Sequence, residues 1–159
     1  MATLTESVLV AAPLATTWDH YFEPRGWPAW VDGFASVVSA EDYPEEGGEL
    51  VWRSNPAGRG TVRERVVEHQ PRRTHRIEFS DPESSGTLAS AFAVEGEGTR
   101  VTLTLEYRLA RGGPLAAVTE RIFVRGQVRG SLRRTLLRFA HEAREVADPA
   151  SLADSPRTD

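Results

Sequence analysis

The chain has 159 residues, 40% of them hydrophobic, and 19 Lys+Arg against 23 Asp+Glu leave a formal net charge of -4. That length holds one domain with one substantial core, and the charge excludes an overall basic field for nucleic acid or anionic lipid. The absence of cysteine excludes disulfides, thiolate nucleophiles and thiolate metal sites, and no apolar run approaches a membrane span.

Residues 1 to 12 lack a basic segment followed by a long apolar run, so no secretory signal is expected and the expected location is cytoplasmic. Leu4 to Val10 reads as a strand with Leu4, Val8 and Val10 on one face and Leu9 off it. Pro13 suits a first helical turn, where its missing N–H is not needed, and the spacing predicts a helix from Pro13 to Phe22 with Leu14, Trp18, Tyr21 and Phe22 on its apolar side. Pro24-Arg25-Gly26 stops that helix. Trp27 to Gly33 then reads as a second short helix, with Pro28 near its start. Neither helix is long enough to form a core alone, so both must lie against a sheet.

From Phe34 to Leu109 the period changes to two. Strands are predicted over Phe34–Ala40, Gly48–Arg53, Gly60–His69, Thr74–Phe79, Gly86–Val94 and Thr99–Leu109. The breaks between them carry Pro, Gly, Asn and Asp, and they are too short for crossover helices, so neighbouring strands should pair antiparallel. In the last strand Val101, Leu103, Leu105, Tyr107 and Leu109 alternate with polar residues, giving one dry face.

After Arg111-Gly112-Gly113-Pro114 a helical period persists from Leu115 to Val146. At 1.5 Å per residue such a helix is about 45 to 50 Å long and spans a small domain. Leu115, Val118, Ile122, Leu132, Leu136, Phe139, Ala140 and Ala143 supply its apolar side. The domain is expected to occupy residues 1–147, and the polar, proline-interrupted 148–159 is expected to be a disordered tail.

Several short motifs punctuate this order: Val10-Ala11-Ala12-Pro13 followed by Trp18, Trp27-Pro28-Ala29-Trp30, Gly60-Thr61-Val62, Gly98-Thr99-Arg100-Val101, and the late Leu132 and Leu136. With them the chain resembles the helix-grip fold of the START-like (SRPBCC) superfamily, in detail the bacterial polyketide cyclase/dehydrase and lipid-transport proteins. The resemblance implies an α+β domain in which a curved seven-stranded antiparallel sheet, with two short helices after its first strand, encloses a long C-terminal helix. It also implies a cavity between sheet and helix for a lipid, polyketide or other apolar molecule.

A strongly curved sheet facing one helix does not easily fill its interior, so inward positions should line a ligand site. Strand alternation nominates Val62, Glu64 and Val66; His75, Ile77 and Phe79; Ser90 and Phe92; and Val101, Leu103, Leu105 and Tyr107, with Trp52 as a wall or lid. If Val62 and Val66 point inward, Glu64 does too; the inverse phase would bury Arg63 and Arg65 instead, at greater cost. Ile122, Arg125 and Arg129 are the helix's candidates. The two arginines share an angular sector with Leu132 and Leu136 beside Gly126 and Gly130; either they extend to solvent over a bend or close packing at the glycines, or one enters the cavity to meet Glu64 or an acidic ligand group.

Competing motifs are incomplete. His20, His69, His75 and His141 lack metal-ligand spacing, no Gly-x-Ser-x-Gly elbow occurs, and Gly58-Arg59-Gly60-Thr61 lacks the Lys-Ser/Thr and helix of a phosphate loop. Gly96-Glu97-Gly98 reads as a hairpin turn, and the arginine run from Arg121 to Arg138 as a solvated face. No metal or cofactor, no nucleic acid and no stable membrane insertion is expected. The leading expectation is a binding protein for a small apolar or amphipathic ligand. One alternative is a cyclase/dehydrase-type enzyme whose acid–base groups would be Glu64, His75 and Tyr107; another is a protein-interaction module. A homodimer is compatible with any of them.

Overall fold

The computed structural model describes residues 1–110 and 117–148, the side chains of 117–121 and 123 excepted. Seven strands, β1 (Ala2–Val10), β2 (Phe34–Glu41), β3 (Glu49–Ser54), β4 (Thr61–Gln70), β5 (Thr74–Ser80), β6 (Ser84–Glu95) and β7 (Gly98–Leu109), form one antiparallel sheet in the order β1-β7-β6-β5-β4-β3-β2. Between β1 and β2 lie α1 (Leu14–Tyr21), a 3-10 turn (Pro24–Gly26) and α2 (Trp27–Trp30); α3 (Ala117–Ala147) closes the fold. This is the helix-grip architecture. The second short helix is smaller than its sequence pattern predicts, because Val31 already adopts an extended backbone and leads into β2.

From β2 to β7 chain order becomes sheet order because each hairpin loop is short, while the segment through α1 and α2 carries the chain from β1 at one edge to β2 at the other and leaves β1 to pair with β7. The sheet bends where extra residues interrupt pairing, at Phe34/Ser36 and Val37/Ser39 in β2 and at Val66/Glu68 in β4. The Gly98-Thr99 motif sits at a close approach. A Cβ on Gly98 would come within 2.5 Å of the Val10 carbonyl oxygen, and the Thr99 hydroxyl donates to the Ala12 carbonyl at 2.9 Å, tying β7 to the turn before α1.

The core fills the concave side. Leu4, Val10, Val62, Val66, Val101 and Leu103 from the sheet meet Leu136, Phe139 and Ala143 of α3, with Trp18, Tyr21, Trp27 and Trp30 wedged between. Leu9 is half exposed, as its break in the alternation implied. Trp27 Nε1 donates to the Tyr21 carbonyl at 2.9 Å, satisfying a helix-end acceptor while burying the indole.

The helix departs from the expected phase. Its inward stripe runs Val124, Val128, Leu132, Leu136, Phe139 and Ala143, whereas Ile122 is 69% exposed. Arg125 and Arg129 lie on the flank facing the edge strand β1: Arg125 donates to the Thr3 carbonyl at 3.0 Å, and Arg129 and Arg133 pair with Glu6 at 3.4 and 3.2 Å. Glu6 is an inward-facing acid at the sheet edge, and its arginine partners compensate its partial burial. A Cβ on Gly126 would meet nothing within 4 Å, so no close packing requires glycine there. Leu115, the side chain of Val118 and the 149–159 part of the expected tail lie outside the described residues.

Candidate functional site

The sheet and α3 do not meet everywhere. Toward the N-terminal half of α3 they border a half-open cavity of about 670 Å³, walled by Ile77, Phe79, Leu88, Leu105, Tyr107, Val124, Val128 and Leu132, with Arg59, Asp81 and Glu83 at its polar side. A smaller space of about 160 Å³ lies among Tyr21, Trp27, Trp30, Phe34, Tyr43, Trp52, His75, Ser90 and Leu103. Arg59, Glu64, Ile77, Leu88, Ser131 and Leu132 belong to both walls, so the two spaces abut.

Glu64 faces inward, as its neighbours Val62 and Val66, both fully buried, require of a regular strand. Its Oε1 accepts from Trp52 Nε1 at 2.8 Å. Burial raises its carboxyl above the ordinary range, opposed by the Trp52 hydrogen bond and by the charge of Arg59. Arg59, on the loop between β3 and β4, lies over the rings of Phe79 and Trp52 at 5.0 and 5.6 Å and donates through Nε to Asp81 at 2.8 Å. Burial pushes the Asp81 carboxyl up, but the Glu83 and Ser84 donors and Arg59 outweigh it and hold the group below its ordinary value.

His75 is buried in the wall of the smaller space, and its Nδ1 lies 3.0 Å from Nδ1 of His69. Burial, reinforced by His69, lowers its pKa to about 3, so the ring is neutral. Its Nε2 is buried without a partner among the described residues. Ser90 Oγ and the Tyr21 hydroxyl share a 2.7 Å hydrogen bond, and burial pushes the Tyr21 phenol up to about 12. Burial likewise raises the Tyr43 phenol.

Of the sequence-nominated residues, Glu64 and Ile77 line both spaces; Phe79, Leu105 and Tyr107 line the larger; Trp52, His75, Ser90 and Leu103 line the smaller. Val62, Val66, Val101 and Phe92 are buried core outside both walls, Phe92 being packed on Trp18 and Tyr21. Ile122, Arg125 and Arg129 are absent from both walls for the reason given by the helix phase. Glu64, His75 and Tyr107 therefore do not converge: His75 belongs to the smaller space and Tyr107 to the larger cavity, with Glu64 between.

Sequence reasoning missed the part of the smaller space's wall supplied by Tyr21, Trp27, Trp30 and Tyr43 from helices and a loop. Its signal was the density of aromatics from Trp18 to Phe34. His69 was missed because the β4 bulge shifts the alternation, placing it beside its cross-strand partner His75.

Residues 1–144 match the sequence profile of a family described as polyketide cyclase / dehydrase and lipid transport. The Zhui aromatase/cyclase from Streptomyces sp. R1128 is similar in structure, with a TM-score of 0.77 at 17% identity over 94% of this chain and 97% of that one. The di-domain ARO/CYC StfQ from the steffimycin biosynthetic pathway gives 0.71 at 16% identity, over 91% of this chain and 52% of that one. Protein TTHA0849 from Thermus thermophilus gives 0.65 at 21% identity, over 92% and 100%. No curated protein matches the chain.

Proposed function

The chain belongs to the polyketide cyclase / dehydrase and lipid transport family, and on that premise we propose that its joined cavities bind one small hydrophobic or amphipathic molecule: a lipid, a polyketide or an aromatic compound. The observation that carries this reading is the pair of abutting spaces, about 670 and 160 Å³, between the concave sheet and α3. Voids walled by Leu88, Leu105, Val124 and Val128 forfeit packing contacts that an apolar ligand restores, while Arg59 and Glu64 offer a polar end the means to orient. The aromatase/cyclase names of two structural relatives favour aromatic or polyketide ligands within that class.

Native mass spectrometry of freshly purified protein tests the reading. A stoichiometric apolar adduct released on denaturation is expected; a clean apoprotein that also ignores a screen of lipids, polyketides and aromatics would count against it.

Glu64 favours a second reading, acid–base catalysis of the cyclase/dehydrase kind. A carboxyl on the cavity wall whose burial raises its pKa holds its proton more firmly than an exposed one and is suited to deliver it to a bound substrate. Turnover of an authentic polyketide substrate should then collapse in Glu64→Gln, and unchanged turnover would eliminate this mechanism.

A further inference from the structure

Charge is segregated along this chain. Six of its 19 Lys+Arg and none of its 23 Asp+Glu fall between Arg121 and His141, so an acidic molecule carries a basic stretch on α3. The stretch is laid out in two neighbouring i, i+4 rows, Arg125-Arg129-Arg133-Leu137 and Ile122-Gly126-Gly130-Arg134-Arg138. The first row begins on the flank against β1 and winds outward, and Arg133, Arg134, Leu137 and Arg138 are all exposed.

The fold uses only part of this charge. Glu6 pairs with Arg129 and Arg133, and Asp32 with Arg134 and Arg138, so four half-exposed arginines share two carboxylates, while Arg125 bonds a backbone carbonyl. Each row also ends in a large apolar side chain turned to water. Ile122 is 69% and Leu137 66% exposed, at opposite ends of a span of about 22 Å along the helix axis.

We infer that the outward face of α3 is a docking surface for an anionic lipid bilayer, with the helix lying in the plane of the headgroups, its arginines at the phosphates and Ile122 and Leu137 dipping below them. The partner follows from the mixture of side chains. A second copy of this face would set arginine against arginine. A nucleic acid would meet no aromatic ring among the described residues of the two rows and would leave Ile122 and Leu137 unburied. A bilayer interface offers anionic groups and apolar depth within a few ångströms of each other, and a long arginine stem keeps its guanidinium at the phosphates while a neighbouring leucine goes deeper. The contact is peripheral, and no helix among the described residues is long and apolar enough to cross a membrane. Val124, Val128 and Leu132 of the same helix wall the larger cavity, so a docked α3 holds that half-open space about one helix diameter, roughly 10 Å, from the lipid. The docking is independent of what the cavity binds.

The chain has no cysteine, so Leu137→Cys and, on the far face of the sheet beside the buried Phe92, Ala93→Cys each accept a single environment-sensitive fluorophore. The labelled full chains are titrated with vesicles of phosphatidylcholine alone or with about 30% phosphatidylglycerol, at about 50 mM and about 500 mM NaCl, between which the Debye length falls from about 14 Å to about 4 Å. At the lower salt the anionic vesicles are expected to bind about tenfold more tightly than the neutral ones, and at the higher salt to lose that advantage. Emission from the label at 137 should shift to the blue on binding while that at 93 stays in place, and Arg133→Gln should weaken binding about fivefold. Position of the label reports the docked face whether or not the arginine variant folds. Equal binding to the two vesicle types, no binding at the lower salt, or a shift at 93 equal to that at 137 overturns the proposal. Retention on soluble polyglutamate without vesicle binding also overturns it, and assigns the arginine rows to an acidic protein.

Discussion

Burial acts on Glu64 and His75 in opposite directions, and stability should record both. The Glu64 carboxyl is raised from 4.5, so the folded state holds its proton more firmly than the unfolded chain does. Its contribution is full below pH 4.5 and is lost as pH rises through the raised value. Glu64→Gln carries no such loss, and its thermal midpoint should therefore gain on the parent as pH rises from about 4 to 7. His75 falls from 6.5 to about 3, so the unfolded chain binds the extra proton. Its contribution is present above pH 6.5 and disappears as pH falls toward 3; acid unfolding followed by circular dichroism should be shallower over that window in His75→Phe. The inward aim of Glu64 was legible from Val62 and Val66, two residues away on either side. The His69–His75 contact was not, because one inserted residue at the β4 bulge reverses the face on which His69 stands.

At the scale of elements, α3 is held over the sheet by a polar anchor at its middle. Asp32, in the turn between α2 and β2, accepts from Ser131 at 2.7 Å, Arg134 at 3.0 Å and Arg138 at 3.2 Å, while its backbone N–H donates to Thr135 Oγ1 at 3.0 Å. Burial pushes its carboxyl up, yet the donors from Arg134 and Ser131 and the charges of both arginines hold it below 3.8. Both arginines are about half exposed, so solvent screens much of the attraction. Asp32→Ala is accordingly expected to cost about 1 kcal/mol, seen as a melting temperature lower by about 2–4 °C. Strand pairing was readable element by element, since period-two segments separated by short turns have little choice but to form hairpins. The rotation of α3 was not: its sequence offers apolar residues on more than one side, and contact with Thr3 and Glu6 of β1 decides that Arg125, Arg129 and Arg133 form the flank.

For the whole molecule, the cavity is a consequence of curvature: a bent sheet touches one straight helix along part of its length and stands away from it elsewhere. Leu88 borders both spaces, so filling its position should close the passage between them. Leu88→Trp is expected to abolish a retained ligand adduct in native mass spectrometry, with a stability change of at most about 1–3 kcal/mol in denaturant unfolding. Either a retained adduct at parental occupancy or a collapse of the fold would contradict that expectation. The order of strands and helices, their antiparallel pairing and the inward acid follow from local periodicity, because hydrophobic repeats and turn residues act within a few neighbours along the chain. Which apolar positions become cavity wall and which become solid core, and which nitrogen of His75 is left unpaired, depend on the bulges, the seating of α1 and α2 and the rotation of α3. Those are set only when distant segments pack against one another, where a shift of one residue exchanges the faces of a strand.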